Sequence, residues 1–335
     1  MKKYIYTLSL LLASILFTSC EQVLQMPSTE MDNLVINSIA TTNEPLSVAL
    51  STTRSLDSPF RLHKFLNYYD YYMGVDESYF DRLVVKNADV TYSVNGGETQ
   101  GTLHYDDEKY AYVSDYQPKP GDNITITAVH TDVYGITRKA YGSAAFSAKP
   151  PEYEIVSRHT YFDRNEMGIL DPAGLYDIYG TDSIMSITLR LKDDKSKRNF
   201  YRLIVRGVAD YTPGNYLVTD IFTTDDLLLT DQSLTSSFGA WPAYFTNIFD
   251  DHMFINNEYT ITVKTRKRRG EKARVLLEYQ ELTSDLYYYL RSVYQYRIAP
   301  NDALGDPISI HTNVNDGWGI VGGANASTKI IYFEK

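Results

Sequence analysis

Cysteine and tryptophan are the scarcest side chains here, with one and two copies in 335 residues. A single thiol can form neither an intrachain disulfide nor a multi-cysteine metal site. Catalytic signatures are also missing: neither G-x-S-x-G nor S-x-x-K occurs, so a serine-hydrolase reading has no anchor. The histidines, His63, His104, His130, His159, His252 and His311, are scattered, with none at the spacing of a helical zinc pair. After residue 19 no apolar stretch approaches the about 20 residues that span a bilayer. Basic charge is short as well. Thirty-two Lys and Arg against 42 Asp and Glu leave a net charge of −10, which argues against nucleic acid and anionic membrane surfaces as main partners.

The one cysteine occupies a telling position. Lys2 and Lys3 precede an apolar run from Tyr4 to Phe17, and Leu16-Phe17-Thr18-Ser19-Cys20 closes it. A basic start, an apolar centre and small residues before a cysteine are the parts of a bacterial lipoprotein signal. The expectation is cleavage between Ser19 and Cys20 and lipidation of the Cys20 thiol. Plain secretion and a retained helical anchor are the alternatives. Several acyl chains on one residue suffice for stable anchoring, and they would leave the chain without a free thiol. Residues 1–19 are then the signal and 20–33 a tether.

What is abundant is tyrosine, with 30 copies. Tyrosine suits sheet faces and wet interfaces, because it joins an apolar ring to a polar tip. Strand patterns follow the tether. Leu34-Val35-Ile36-Asn37 and Leu46 to Leu50 are short β-prone runs. Val90, Tyr92 and Val94 alternate with polar residues before the turn Asn95-Gly96-Gly97, and Ile124, Ile126 and Ala128 alternate after Pro118-Lys119-Pro120-Gly121-Asp122. Ser147 to Pro151 reads as a boundary, stiffened by paired prolines. Beyond it Met185, Ile187, Leu189 and Leu191 share a face, as do Tyr201, Leu203 and Val205, and Tyr259, Ile261 and Val263; Arg274 to Tyr279 would be a returning strand. Leu286, Tyr289, Leu290, Val293 and Tyr296 or Arg297 switch to helical spacing, with Ser284 as cap and Pro300 just past the end. The expected fold is mainly β: two β-sandwich (Ig-like or Greek-key) domains over 34–148 and 152–335, the second with one packed helix near 284–299.

Four features are weighed as sites. Gly317-Trp318-Gly319-Ile320-Val321-Gly322 spells G-x-G-x-x-G, but too few residues follow for the helix and the ribose-binding acid that a dinucleotide site needs. The stretch Gly317–Gly323 is therefore expected to be a structural glycine-rich loop, followed by a strand from Lys329 to Phe333. The basic run Lys264, Arg266, Lys267, Arg268, Arg269, Lys272 and Arg274 could grip phosphate or anionic glycan, and its plainer reading is a solvated hairpin tip. Asp225-Asp226 and Asp250-Asp251 could hold calcium, although such pairs usually sit in turns. Tyr68, Tyr69, Tyr71, Tyr72 and Tyr79 crowd a segment that interrupts the strand rhythm. They are the candidate ligand or partner contact, as sugar-stacking faces or as interface anchors, against the alternative that they pack on their own sandwich. No catalytic residue, metal site or cofactor is expected.

Several of these runs occur together in a known set of sequences. After the lipobox cysteine and the Leu34–Asn37 strand come Pro118-Lys119-Pro120-Gly121, then Asn199-Phe200-Tyr201-Arg202-Leu203. Leu282-Thr283-Ser284-Asp285-Leu286-Tyr287-Tyr288-Tyr289-Leu290 and Asn313-Val314-Asn315-Asp316-Gly317-Trp318-Gly319-Ile320 complete the series. In this order they resemble the domain-of-unknown-function 4249 lipoproteins of Bacteroidota over nearly the whole mature chain. The resemblance implies an outer-membrane lipoprotein, often encoded beside a TonB-dependent receptor, and brings no catalytic residues. The expected role is that of an accessory or ligand-binding protein acting with such a β-barrel transporter in nutrient uptake, with a glycan or peptide as candidate ligand. A free-standing glycan-binding or adhesion lipoprotein is the alternative, and a hydrolase whose residues meet only in three dimensions is a third reading. Surface-exported relatives carry several acids after the cysteine. Here only Glu21 does, so periplasmic and surface-facing placements both stay open.

Overall fold

The computed structural model describes residues 33–53, 84–98, 100–166, 183–194, 196–212, 215–219, 222–229, 247–267, 274–298 and 309–332. Cys20 and the tyrosines at 68–79 lie outside these residues.

Alternation decides the strands. In β1 (Leu34–Thr41) and β2 (Ser47–Thr52), Leu34, Ile36, Val48 and Leu50 turn inward. The same holds for Val90 in β3 (Ala88–Val94), Leu103 in β4 (Gly101–Asp106) and Tyr112 in β5 (Ala111–Val113). In β6 (Asn123–Thr131) and β7 (Thr137–Ala145) the inward positions are Ile124, Ile126, Ala128, Ala140 and Ala144. Side chains on a strand alternate between faces, so every second residue can be apolar at no cost to solubility.

After Pro150-Pro151 come β8 (Tyr153–Tyr161), β9 (Ser183–Lys192), β10 (Phe200–Thr212), β11 (Asn215–Thr219), β12 (Phe222–Thr223), β13 (Ile248–Asp250), β14 (Glu258–Lys267) and β15 (Arg274–Leu282). Helix α1 (Ser284–Ile298) and β16 (Trp318–Tyr332) follow. A 12-stranded sheet runs in the order β11-β10-β15-β16-β1-β2-β5-β4-β3-β6-β7, with β13 beside β10; a four-stranded sheet runs β12-β14-β9-β8. The protein is mainly β.

Two sheet cores and a helix core result. Ile187, Leu189, Ile261 and Val263 of the small sheet pack on Tyr201, Leu203, Val275 and Leu277 of the large one, a sheet-on-sheet sandwich. The other sheet core gathers β1 to β7 and takes Val314 and Val321 from the C-terminal side. The Ser147–Pro151 segment leads from β7, at the edge of the large sheet, to β8, at the edge of the small one, and Asn33–Lys335 forms one compact unit. The cause is β16, which pairs antiparallel with β15 on one side and parallel with β1 on the other, Val35 opposite Trp318 and Thr41 opposite Ala324.

That strand corrects one expectation. Trp318–Tyr332 is a single strand of 15 residues, not a glycine-rich loop followed by a short strand. Its glycines make room. Gly319, at φ +101, passes under the Ile36 carbonyl, and a β-carbon on Gly322 would lie 2.8 Å from Leu286 Cβ. The glycines thus let β16 run close to β1 beside it in the sheet and to α1 packed on its face.

Helix α1 lies where the spacing predicts, with a wider buried face. Leu286, Tyr289, Leu290 and Val293 are buried as expected, together with Tyr287 and Tyr294, against Phe200, Ile248, Leu282 and Ile320. Tyr296 is instead 54 % exposed. Thr283 ties the helix start to the sheet: its N–H donates to the Gly323 carbonyl at 2.8 Å and its Oγ1 accepts from the Gly323 N–H at 3.1 Å.

Candidate functional site

The two most distinctive sequence runs, 282–290 and 313–320, meet at this joint. Asn313 acts as a side-chain splint for β16: Oδ1 accepts from the Val321 N–H, and Nδ2 donates to the Val321 carbonyl, both at 2.9 Å. Asp285, in the first turn of α1, is hydrogen-bonded through Oδ1 to His311 Nε2 at 2.8 Å. The His311 N–H donates to Ser292 Oγ at 2.9 Å, and Ser292 donates to the Tyr289 carbonyl at 2.8 Å. The residues before β16 are thereby laid along the solvent side of α1.

An open cleft of about 350 Å³ forms there, lined by Arg198, Tyr287, Tyr288, Arg291, Ser292, Gln295 and His311. Positions 288, 291, 292 and 295 are one stripe of the helix, since residues three and four apart share a face. Tyr287 forms the floor, buried and stacked on Phe200 at 4.5 Å between centroids. Burial raises its phenol pKa above the ordinary tyrosine value, and the Arg291 guanidinium works in the opposite direction. Arg291 Nη1 donates to the Tyr287 hydroxyl at 3.0 Å. On the other wall, the Arg198 guanidinium stands 5.4 Å from the Phe200 ring centre and donates to Asp250 Oδ2 at 2.6 Å. Burial pushes the Asp250 carboxyl up, but the bonds from Arg198 and His252 outweigh it and hold it below the usual range. Tyr288 is half-exposed at the mouth, with the His311 ring 5.9 Å away.

Two guanidinium forks beside aromatic rings suit a planar or anionic group, since arginine presents paired donors and also stacks on π-faces. The Asp285–His311 pair resembles the orienter and base of a hydrolase, but Ser292, the aliphatic hydroxyl of the cleft, is spent on fastening the His311 backbone and capping a helix carbonyl. The cleft therefore presents arginine, tyrosine and histidine side chains, with its serine hydroxyl already bonded on both sides.

Other weighed residues fall elsewhere. In the basic run, Arg266 is buried in β14 at 2 % exposure, and Lys264 pairs with Glu166 at 2.7 Å; these two positions are strand, not hairpin tip, while 268–273 lie outside the described residues. Asp226 ties a turn, accepting from the Leu228 N–H and the Tyr259 hydroxyl. Asp250 and Asp251 hold Arg198 and the Asn199 N–H. Among the described residues no group of three or more His, Cys, Asp or Glu is gathered as a metal site. Sequence reading placed no ligand contact in the α1 cleft. The signal for it was the 288/291/292/295 stripe of polar and aromatic residues on an otherwise apolar helix.

The chain belongs to the DUF4249 family, a domain of unknown function, whose model matches residues 21–330. No curated protein and no solved structure matches it.

Proposed function

We propose that this chain is a lipid-anchored, ligand-binding accessory protein of the outer membrane, acting with a TonB-dependent β-barrel receptor in nutrient uptake. The observation that carries the binding part is the open cleft beside α1, lined by Arg198, Tyr288, Arg291 and His311. The signal run ending at Cys20 supports the anchor, and the family resemblance supports the receptor. A signal run, a tether and a β-rich body with a cleft on its side suit a protein that presents cargo to a larger machine.

The test is affinity purification of the native protein from envelopes in mild detergent. Recovery of a β-barrel receptor, lowered by Tyr288→Ala or Arg291→Ala, is the expected result. Isolation as a lone monomer overturns the receptor partnership, and a lone monomer that still binds a glycan array would move the reading to the free-standing adhesin.

A further inference from the structure

The hairpin joining β6 to β7 carries an unusual tip. Val133 is 93 % exposed, Tyr134 86 % and Ile136 45 %, three large apolar side chains within four residues. Single exposed apolar residues are ordinary, but a cluster at a projecting turn is not. The turn is held in shape from within. Asp132 Oδ1 accepts from the N–H groups of Tyr134 and Ile136, both at 2.9 Å, and Oδ2 accepts from Arg138 Nη1 at 2.8 Å. Gly135, at φ +80, completes the turn with its N–H on the Asp132 carbonyl. The only acid of the tip is thus neutralised by an arginine, and the side chains left facing solvent are apolar.

Topology fixes which way the tip points. A β-carbon on Gly317 would lie 2.6 Å from the Leu34 carbonyl and 2.9 Å from Ala140 Cβ, so the middle of β7 is level with the start of β1. Further along, Gly142 meets Val321 and Phe146 meets Gly323, so β7 runs in the direction of β16. Because β16 is parallel to β1, the beginning of β7 projects past the end of the sheet at which β1 begins. At about 3.4 Å per residue, Thr137 stands roughly 10 Å beyond that level, with the tip farther out. Trp318, 50 % exposed, opens β16 at the same end. The chain from Cys20 joins the fold there too, and the span from Cys20 to Leu34 can reach no more than about 50 Å.

We propose that this tip is a bilayer contact: Val133, Tyr134 and Ile136 enter the interfacial layer of the membrane that holds the lipid of Cys20. The proposal rests on the lipid-anchor reading above. Tyrosine and tryptophan favour the headgroup level, where a ring can be apolar on one side and wet on the other. A neutral tip on an acidic chain binds through apolar contact, so the interaction does not require anionic lipid. With the tether's point of attachment and the tip at one end of the body, two membrane attachments would hold it in a set orientation and act as one strong one.

The test uses the lipidated full chain in phosphatidylcholine vesicles. Acylation of Cys20 leaves no other thiol, so Tyr134→Cys can be labelled with an environment-sensitive fluorophore. Glu98→Cys, beyond the end of β3 remote from the tip, is the control. Expected are a blue shift, a severalfold gain in emission and quenching by spin-labelled lipid at 134, with none of these at 98. A label at 134 that stays aqueous on chain that floats with the vesicles overturns the tip contact and leaves the anchor standing. Chain that does not float at all overturns both. Shielding at 134 that appears only when a β-barrel receptor is added makes the tip a protein contact and overturns the bilayer assignment.

Discussion

A β-carbon on Gly319 would sit 2.1 Å from the carbonyl oxygen of Ile36, inside any permitted non-bonded distance. This glycine also has φ +101, where other residues are strained. Overpacking costs about 1–3 kcal/mol and the backbone conformation about 1–2 kcal/mol, so Gly319→Ala should lower stability by roughly 3 kcal/mol or more. Gly96→Ala is the matched control: its φ is +71 but nothing lies within 4 Å. Denaturant unfolding of both variants separates the clash from the backbone strain, and equal losses would show that the Ile36 contact has no role.

Neighbouring tyrosines in α1 should behave oppositely. Tyr287 is buried against Phe200, and aromatic-to-alanine changes in cores cost about 3–5 kcal/mol. Tyr287→Ala should therefore shift the unfolding midpoint strongly. Tyr288→Ala removes a half-exposed ring and should leave that midpoint nearly unchanged while reducing receptor recovery. Equal thermal shifts in the two variants would deny the cleft its separate role.

Tyr201 donates its hydroxyl to Asp193 at 2.6 Å while its ring stacks on Tyr279 at 4.9 Å. Tyr201→Phe keeps the ring and removes the bond. A hydrogen bond to a charged group is worth about 1.5–3 kcal/mol, and a loss of that order is expected by urea unfolding. Asp193 keeps the Asn199 Nδ2 bond, so the loss should stay below that of Tyr201→Ala.

Alkaline pH should unfold the protein in a particular window. Burial, with Asp226 adding to it, pushes the Tyr259 phenol up to about 12. Burial does the same to Tyr201 and Tyr279 more strongly, helped by Asp193 and by Tyr201 respectively. Free tyrosine ionises near pH 10. In the folded state these phenols keep protons that the unfolded chain releases, so their contribution is complete below about pH 10 and falls as pH rises through the folded values. The last part of the tyrosinate absorbance to appear should rise in step with loss of structure. Ionisation of these tyrosines near pH 10 in a still-folded chain would contradict the burial account.

The strands were largely legible because two-residue alternation reports a half-buried sheet directly. Ile124, Ile126 and Ala128, and Met185 to Leu191, are inward where the pattern puts them, though Met185 and Ser186 show that both faces of β9 are covered. Helix α1 was legible from its change of period. The glycine run at 317–323 was misread because strand propensity counts glycine as a breaker, while here the backbone's neighbours, Ile36, Leu286 and Phe146, decide. Arg266 was misread because charge alone suggests solvent, whereas it sits opposite Ile184 on the face of β14 away from Ile261 and Val263, and that face is covered there as well. The cleft joins Arg198, α1 and His311 across more than a hundred residues of sequence, and no local pattern carries such a meeting. The expected contact at Tyr68, Tyr69, Tyr71, Tyr72 and Tyr79 lies outside the described residues, as does Cys20.

Pairing β1 with β16 has a consequence for the order of assembly. Val35 and Ile36 find one of their two flanking strands only when residues 318–324 have been made, so the middle of the large sheet has to wait for nearly the whole chain. Long-range pairing of this kind slows folding and keeps apolar strands unsatisfied meanwhile. A ribosome-bound chain lacking its final stretch would hold the sheet open at its centre. Such a delay is a liability for a protein folding where it is made, and an advantage for one that must be threaded unfolded to another compartment first.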